Sequence, residues 1–434
     1  MLLIGLSRHE LYASKCSCQH FIMASSTQEQ WRSVPARHPD QPRDVPALVR
    51  TFALLLGIGN PNAEQWERLG QRLTVGDEPA DRLVDWMVTT GTQQARTLFD
   101  LALAEGIANV PDAPEPLREF FAQIEDTPDW VDQDKLRVGA RTLRRGGADG
   151  MYIARDVSLL GGYQFSGFNK TLLRTGALEK GSNKRFAETM QWALDVIAED
   201  GLEPLGVGYR STVRVRLIHG FVRRHVAAMP DWRPDEWGMP VNQTDMAATL
   251  VGALIAPPAA SIGMGFVFSP AELDGLAHLT RYVGWLIGVQ DEWLPRSFRD
   301  GIRILYHTLT ALAEPDESTK QLAMPMAEDP LAWHYRVLPG LRRRVAKVQH
   351  LSVTSAFLGP RAMRNLGLTY VLPWYPVVRI PVNLALSVVA LTLPGAMARA
   401  DVRGQREQEA LLRTMIGDSA TTIGESAAHV SRVA

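Results

Sequence analysis

The sequence predicts an all-α protein built as a single large helical domain. Three observations carry that expectation. Nearly every periodic segment repeats its apolar residues at intervals of three and four, the spacing of one helix face. No convincing run alternates apolar and polar residues, and no Asn-Gly or Asp-Gly turn joins two such runs, so hairpins are not expected. Helix start signals are clear: Ser269-Pro-Ala-Glu272 offers Ser as cap, Pro in the first turn and Glu three residues after the cap.

Taken in order, Ala63 to Leu73 and Pro79 to Glu105 have helical period, and Leu83, Trp86, Met87, Leu98 and Leu101 fit one broad face. Pro116 to Ile124 forms a short helix with proline in its tolerated first turn. Asp126-Thr-Pro-Asp-Trp130 marks a turn, and Asp132 caps a helix running to Arg145. Gly146-Gly147 and Gly161-Gly162 break the chain on either side of an apolar segment. Helices follow at about Lys184 to Glu199, at Thr212 to Met229 before Pro230, and from Ser269 to Gly288. Leu372 to Met397 is the most apolar stretch. Its clean run, Val382 to Leu393, is shorter than the roughly 20 residues that span a bilayer. A buried C-terminal helix is its first reading, and a peripheral membrane contact through 372–397 its second.

At 434 residues the chain can bury a large core. Its net charge of -1 gives no reason to expect nucleic acid as a partner. The only two cysteines, Cys16 and Cys18, lie near the N-terminus, so no disulfide framework is expected, and a reducing compartment is the default. With His20 they superficially resemble metal ligands, but a fourth ligand is missing and a loose tail is the better reading. The first residues lack the apolar length of a signal peptide. The expected organisation is a disordered tail over 1–30, a helical domain over 31–400 and a charged, then low-complexity tail over 401–434. The expected location is cytoplasmic, with membrane association as an addition.

The P-loop, His-Glu-x-x-His and Gly-x-Ser-x-Gly motifs are absent, and Gly57-x-Gly59 lacks the third glycine of a dinucleotide fingerprint. The chemistry therefore falls on two helices. On the first, Arg185, Thr189, Trp192 and Val196 share a stripe at the edge of an apolar face made by Phe186, Met190, Ala193 and Ile197. On the second, Val215, His219, Val222 and Val226 share a stripe, with Ile218 alongside. Gly220 would let a flat ligand approach the backbone, and Arg216 and Arg223 lie one turn to either side of His219. That arrangement suits an imidazole ligating iron while two guanidiniums meet haem propionates. It also suits a neutral core histidine with arginines at the helix edge, and structural histidines are the commoner case.

Several ordered motifs bear on that choice. Arg185-Phe-Ala-Glu-Thr189 is followed by Arg214-Val-Arg-Leu-Ile-His219-Gly-Phe-Val-Arg223 and Pro240-Val-Asn-Gln-Thr-Asp245. Thr127-Pro-Asp-Trp130 lies upstream, and Tyr282-Val-Gly-Trp-Leu-Ile-Gly288 downstream. Together these resemble the latex-clearing protein (rubber oxygenase) and ER-bound mycophenolate-pathway oxygenase family, most closely over residues 120–300. The resemblance implies a partly globin-like core holding haem b, with His219 as the proximal iron ligand and Arg185 and Thr189 in the distal pocket. It implies oxidation or cleavage of a C=C bond of a small lipophilic, isoprenoid-like substrate by O2. Two positions depart from the pattern. Glu188 stands where rubber oxygenases can carry a lysine able to cap the iron, and Asn169 and Lys170 stand where those enzymes place a carboxylate base. Two alternatives remain beside the oxygenase: a haem sensor or peroxidase-like protein, and a haem-free helical binding protein in which His219 is structural.

Overall fold

A computed structural model describes residues 34–176 and 181–417 of the chain. The expectations for residues 1–30, including Cys16, Cys18 and His20, and for the chain beyond 417 lie outside these residues. Among the described residues there is no strand, and the helices form one all-α domain.

The N-terminal part comprises α1 (Ala47–Leu55), α2 (Ala63–Gln71), α3 (Glu78–Thr90), α4 (Thr92–Glu105), α5 (Glu115–Glu125) and α6 (Gln133–Arg145). The segment read as continuous from Pro79 to Glu105 is two helices, divided at Gly91, whose φ of 113° no helix accommodates. Asp132 caps α6 as expected, accepting from the Asp134 and Lys135 amides. The expected breaks at Gly146-Gly147 and Gly161-Gly162 are softer than the sequence suggests. Helix α7 (Gly147–Ile153) starts at once and passes into a π-helical turn, Ala154–Leu159, before the chain bends after Gly162.

Next come α8 (Ser166–Arg174), α9 (Ser182–Val196) and α10 (Val207–Ala227), then α11 (Gln243–Leu254), α12 (Ala256–Gly263) and α13 (Pro270–Leu286). The Ser269–Glu272 capping box opens α13 as the sequence predicts. The remainder is α14 (Phe298–Ala311), α15 (Glu317–Glu328), the long α16 (Pro339–Asn365), α17 (Trp374–Thr392) and α18 (Ala396–Ile416). Helix α18 corrects the domain boundary expected at 400. Its Asp401 pairs with Arg144, and Gln408 donates to the Leu143 carbonyl, so the helical body continues to Ile416. Helix α17 corrects the buried reading of 372–397, because most of its apolar side chains are exposed.

Four apolar clusters form among the described residues, and the two largest position the site. The larger joins α3 to α5 with α10, α11, α13 and α14; the smaller joins Met151, Phe186, Met190, Met326, Trp333 and Met363 from α7, α9, α15, α16 and the loops between them. Helix α9 contributes its first half to the smaller core and Val196 to the larger. Helix α10 belongs to the larger core through Tyr209, Val213, Leu217 and Phe221. The two helices that carry the sequence-predicted site thus meet at the seam between cores.

Candidate active site

Helices α9 and α10 form an antiparallel hairpin. Gly208 sits so close to α9 that a Cβ there would lie 2.5 Å from the Asp195 carbonyl oxygen. Further in, the Trp192 indole N–H donates to Thr212 Oγ1 at 3.0 Å. Arg185 precedes Trp192 by two helical turns, and His219 follows Thr212 by two. Each pair shares one face of its helix, so by this register Arg185 and His219 fall at the same level along the hairpin. The sequence stripes were drawn separately, and the hairpin brings them together.

His219 is half-buried, and burial pushes its imidazole down to about 4, with Arg223 adding to the effect. It is neutral at physiological pH. Its Nδ1 is buried without a hydrogen-bond partner among the described residues. An ordinary core histidine donates to a carbonyl, as His307 does with Gly59 at 3.1 Å. His219 does not. The ring is partly accessible, and so are Val215, Ile218 and Val222 around it. The open side of the imidazole is therefore apolar.

Arg185 is half-buried and hydrogen-bonds Tyr163, a buried residue of the smaller core whose hydroxyl burial raises and Arg185 lowers. Thr189 lies exposed on the same stripe, its hydroxyl donating to the Arg185 carbonyl at 3.1 Å. The hairpin is closed at Trp192–Thr212 and open toward Arg185 and His219.

Three predicted cofactor contacts, Arg216, Gly220 and Trp192, need correction, and that of Arg223 is kept only in part. Arg216 is bidentate on Asp77, with Nε to Oδ2 at 2.7 Å and Nη2 to Oδ1 at 2.8 Å, and stacks over Phe120. Those donors are committed, so Arg216 does not face a propionate. Arg223 binds Asp81 at 2.7 Å and the Val241 carbonyl at 3.1 Å, leaving Nη2 buried and unpaired. It keeps one donor for an anion where two such arginines were expected. Gly220 admits α3, not a flat ligand: a Cβ there would meet Val84 Cγ2 at 2.9 Å and the Ala80 carbonyl oxygen at 3.2 Å. Trp192 closes the hairpin through Thr212 instead of lining its open end.

Asp77, Asp81 and Tyr163 escaped the sequence reading. The four-residue spacing of Asp77, Asp81 and Asp85 was the available signal. These carboxylates face Arg216, Arg223 and Arg224 in a ladder that staples α10 to α3. Asp81 is pushed up to about 6, because burial outweighs its arginine. A second buried cluster also went unread. Arg155 and Asp156 sit on the π-helical turn, Asp156 binds His350 at 2.5 Å, and Arg155 lies 3.5 Å from Asp329. Asn169, one of the two residues noted in the sequence as departing from the resembled pattern, is buried and donates to the Tyr163 carbonyl at 2.8 Å. Among the described residues no cluster of three or more metal-ligating side chains occurs.

The family model described as ER-bound oxygenase mpaB/B'/Rubber oxygenase, catalytic domain, matches residues 151–391, more than half of the chain. The rubber oxygenase of Streptomyces sp. (strain K30) is 23% identical over 235 residues, covering 52% of this chain and 56% of that relative. The match thus spans little more than half of the relative's length. Among solved structures, latex clearing protein LCP in the closed state superposes with a TM-score of 0.64 at 18% identity, over 81% of this chain and 94% of that one. At that identity the likeness is one of fold.

Proposed function

Because the chain belongs to the ER-bound oxygenase mpaB/B'/rubber oxygenase catalytic-domain family, we propose that it is a haem-dependent oxygenase that oxidises or cleaves a C=C bond of a small lipophilic, isoprenoid-like substrate. The observation that carries the reading is His219: a half-buried imidazole whose Nδ1 is buried without a hydrogen-bond partner among the described residues, on the helix hairpin between the two larger cores. A buried ring nitrogen left unpaired is costly in a folded protein, and an iron-ligand position would account for it.

The residues present fit a haem. His219 would hold the iron, and the free Nη2 of Arg223 could meet a propionate. When bound, haem supplies an iron centre for O2. Arg185 falls at the level of His219 along the hairpin and hydrogen-bonds Tyr163; beside a bound haem its charge could steady a developing negative oxygen. Thr189 holds a hydroxyl one turn from Arg185, in reach of solvent for proton placement. Val215, Ile218 and Val222 give an apolar wall that excludes water from a hydrocarbon substrate. Cleavage of C=C by O2 to two carbonyls places both oxygen atoms in product, so it needs no external reductant.

The test is spectroscopic and catalytic. Purified, haem-supplemented protein should show a Soret band that His219→Ala abolishes. Arg185→Ala should keep the band and lower isoprenoid-dependent O2 consumption by about 10²-fold, the scale of losing one oxyanion donor. A haem-loaded protein that consumes no O2 with any isoprenoid would point to the sensor reading instead.

A further inference from the structure

Helix α17 is inside out. The face turned to the protein carries its polar groups: Arg379 and Asn383 each donate to Asp149 at 2.8 Å, and Ser387 accepts from the Val267 amide at 3.2 Å. The face turned outward carries Val377, Val378, Leu384, Val388 and Val389, all exposed. Among the described residues it is one of two helical stretches long and apolar enough to cross a bilayer; the other, Gln243–Gly263, is half buried, whereas α17 is only 22% buried. Tied to the body along its polar face, α17 lies along the surface of the domain.

A second exposed stripe continues it. Leu338, Leu341, Val345 and Val348 recur at three and four along the first half of α16, and all are exposed. The two helices meet where the Tyr375 amide donates to Ser352 Oγ at 3.1 Å. Trp374 and Tyr370, both exposed, sit at the start of α17, as aromatic residues do at a lipid–water boundary.

Charge decides what covers this surface. Residues 330–400 contain nine Lys and Arg and no Asp or Glu, in a chain whose net charge is -1. Arg336, Arg342, Arg344, Arg361, Arg364 and Arg399 are exposed and form no ion pair among the described residues. Two copies of so basic a surface would repel each other. An anionic lipid surface complements both its apolar and its basic character.

We propose that α17 and the first half of α16 form a docking surface for an anionic lipid bilayer, with α17 lying in the interfacial plane. Docking here is independent of haem, and it would place the hairpin of a lipophile-oxidising enzyme beside a lipid phase that can dissolve its substrate.

The test is flotation of the full-length protein with vesicles of 7:3 phosphatidylcholine and phosphatidylglycerol, against pure phosphatidylcholine. Binding to the anionic vesicles is expected to weaken as salt rises, since the basic contribution is screened. The Val378→Glu/Leu384→Glu double variant places carboxylates at outward positions only. It should keep its helical circular dichroism and lose at least about tenfold of the vesicle-bound fraction. Arg342→Glu/Arg344→Glu should remove the preference for anionic over neutral vesicles. Failure of the wild-type protein to float with either vesicle overturns the proposal. So does a dimer in sedimentation equilibrium that the Val378→Glu/Leu384→Glu variant dissolves, because a second copy would then be the occupant.

Discussion

The Arg216–Asp77 pair shows what single residues decide in this molecule. Both side chains are nearly inaccessible, at 6% and 3%, and their two hydrogen bonds are bidentate. Removing one partner leaves a buried charge, which costs about 3–5 kcal/mol. Asp77→Ala should therefore lose that much in urea unfolding, while Asp77→Leu/Arg216→Met should lose much less than the two single changes added together. Asp329 offers a pH test. Burial pushes it up to about 6, against the opposing pull of Arg155. Its folded pKa is thus above its unfolded value, the folded state holds more protons between pH 4 and 6, and this contribution to stability falls as pH rises through that window. Asp329→Asn, which cannot titrate, should gain melting temperature relative to wild type as pH goes from 4 to 6. An unchanged difference across that range would exclude the assignment. Both pairs bridge distant parts of the chain, which explains why the sequence conceals them. A carboxylate 139 positions away leaves no trace in local periodicity, whereas the stripe of His219 does.

At the scale of elements, packing is decided by where backbones approach. Helices α6 and α13 cross at two glycines, and a Cβ on Gly139 would lie 2.4 Å from the Gly275 carbonyl oxygen. Because the obstruction is backbone, neither helix can yield by turning a side chain. Gly139→Ala should destabilise by about 3 kcal/mol despite its gain in helix propensity, read as a lower urea midpoint at constant slope. Element starts were legible wherever a side chain caps its own helix, as Asp132 and Ser269 do. Element ends and breaks were less so. A glycine pair signals an interruption, but the chain passes Gly146-Gly147 with hardly a pause and takes a π-helical turn farther on, where no residue type announces it. Periodicity also cannot tell an apolar face that meets a core from one that meets something outside the chain. That is why α17 reads as buried in the sequence and is exposed in the structure.

At the scale of the whole molecule, a hairpin lies across the seam between the two largest cores of the described residues. Helix α9 is anchored in the smaller core by Phe186, Ala187 and Met190, and α10 in the larger by Val213, Leu217 and Phe221. The ion-pair ladder from Asp77 and Asp81 fixes the α10 side, and Tyr163 fixes Arg185 on the other. That arrangement holds His219 and Arg185 level without letting either side chain be absorbed into a core. The central claim is that His219 ligates haem, and one measurement tests it most directly: the absorption spectrum of haem-supplemented wild-type protein beside that of His219→Ala, with circular dichroism on both. The account predicts a Soret band in the wild type and none in the variant, with the helical signal equal in the two. A well-folded wild-type protein without the band, or a variant that keeps it unchanged, would contradict the account.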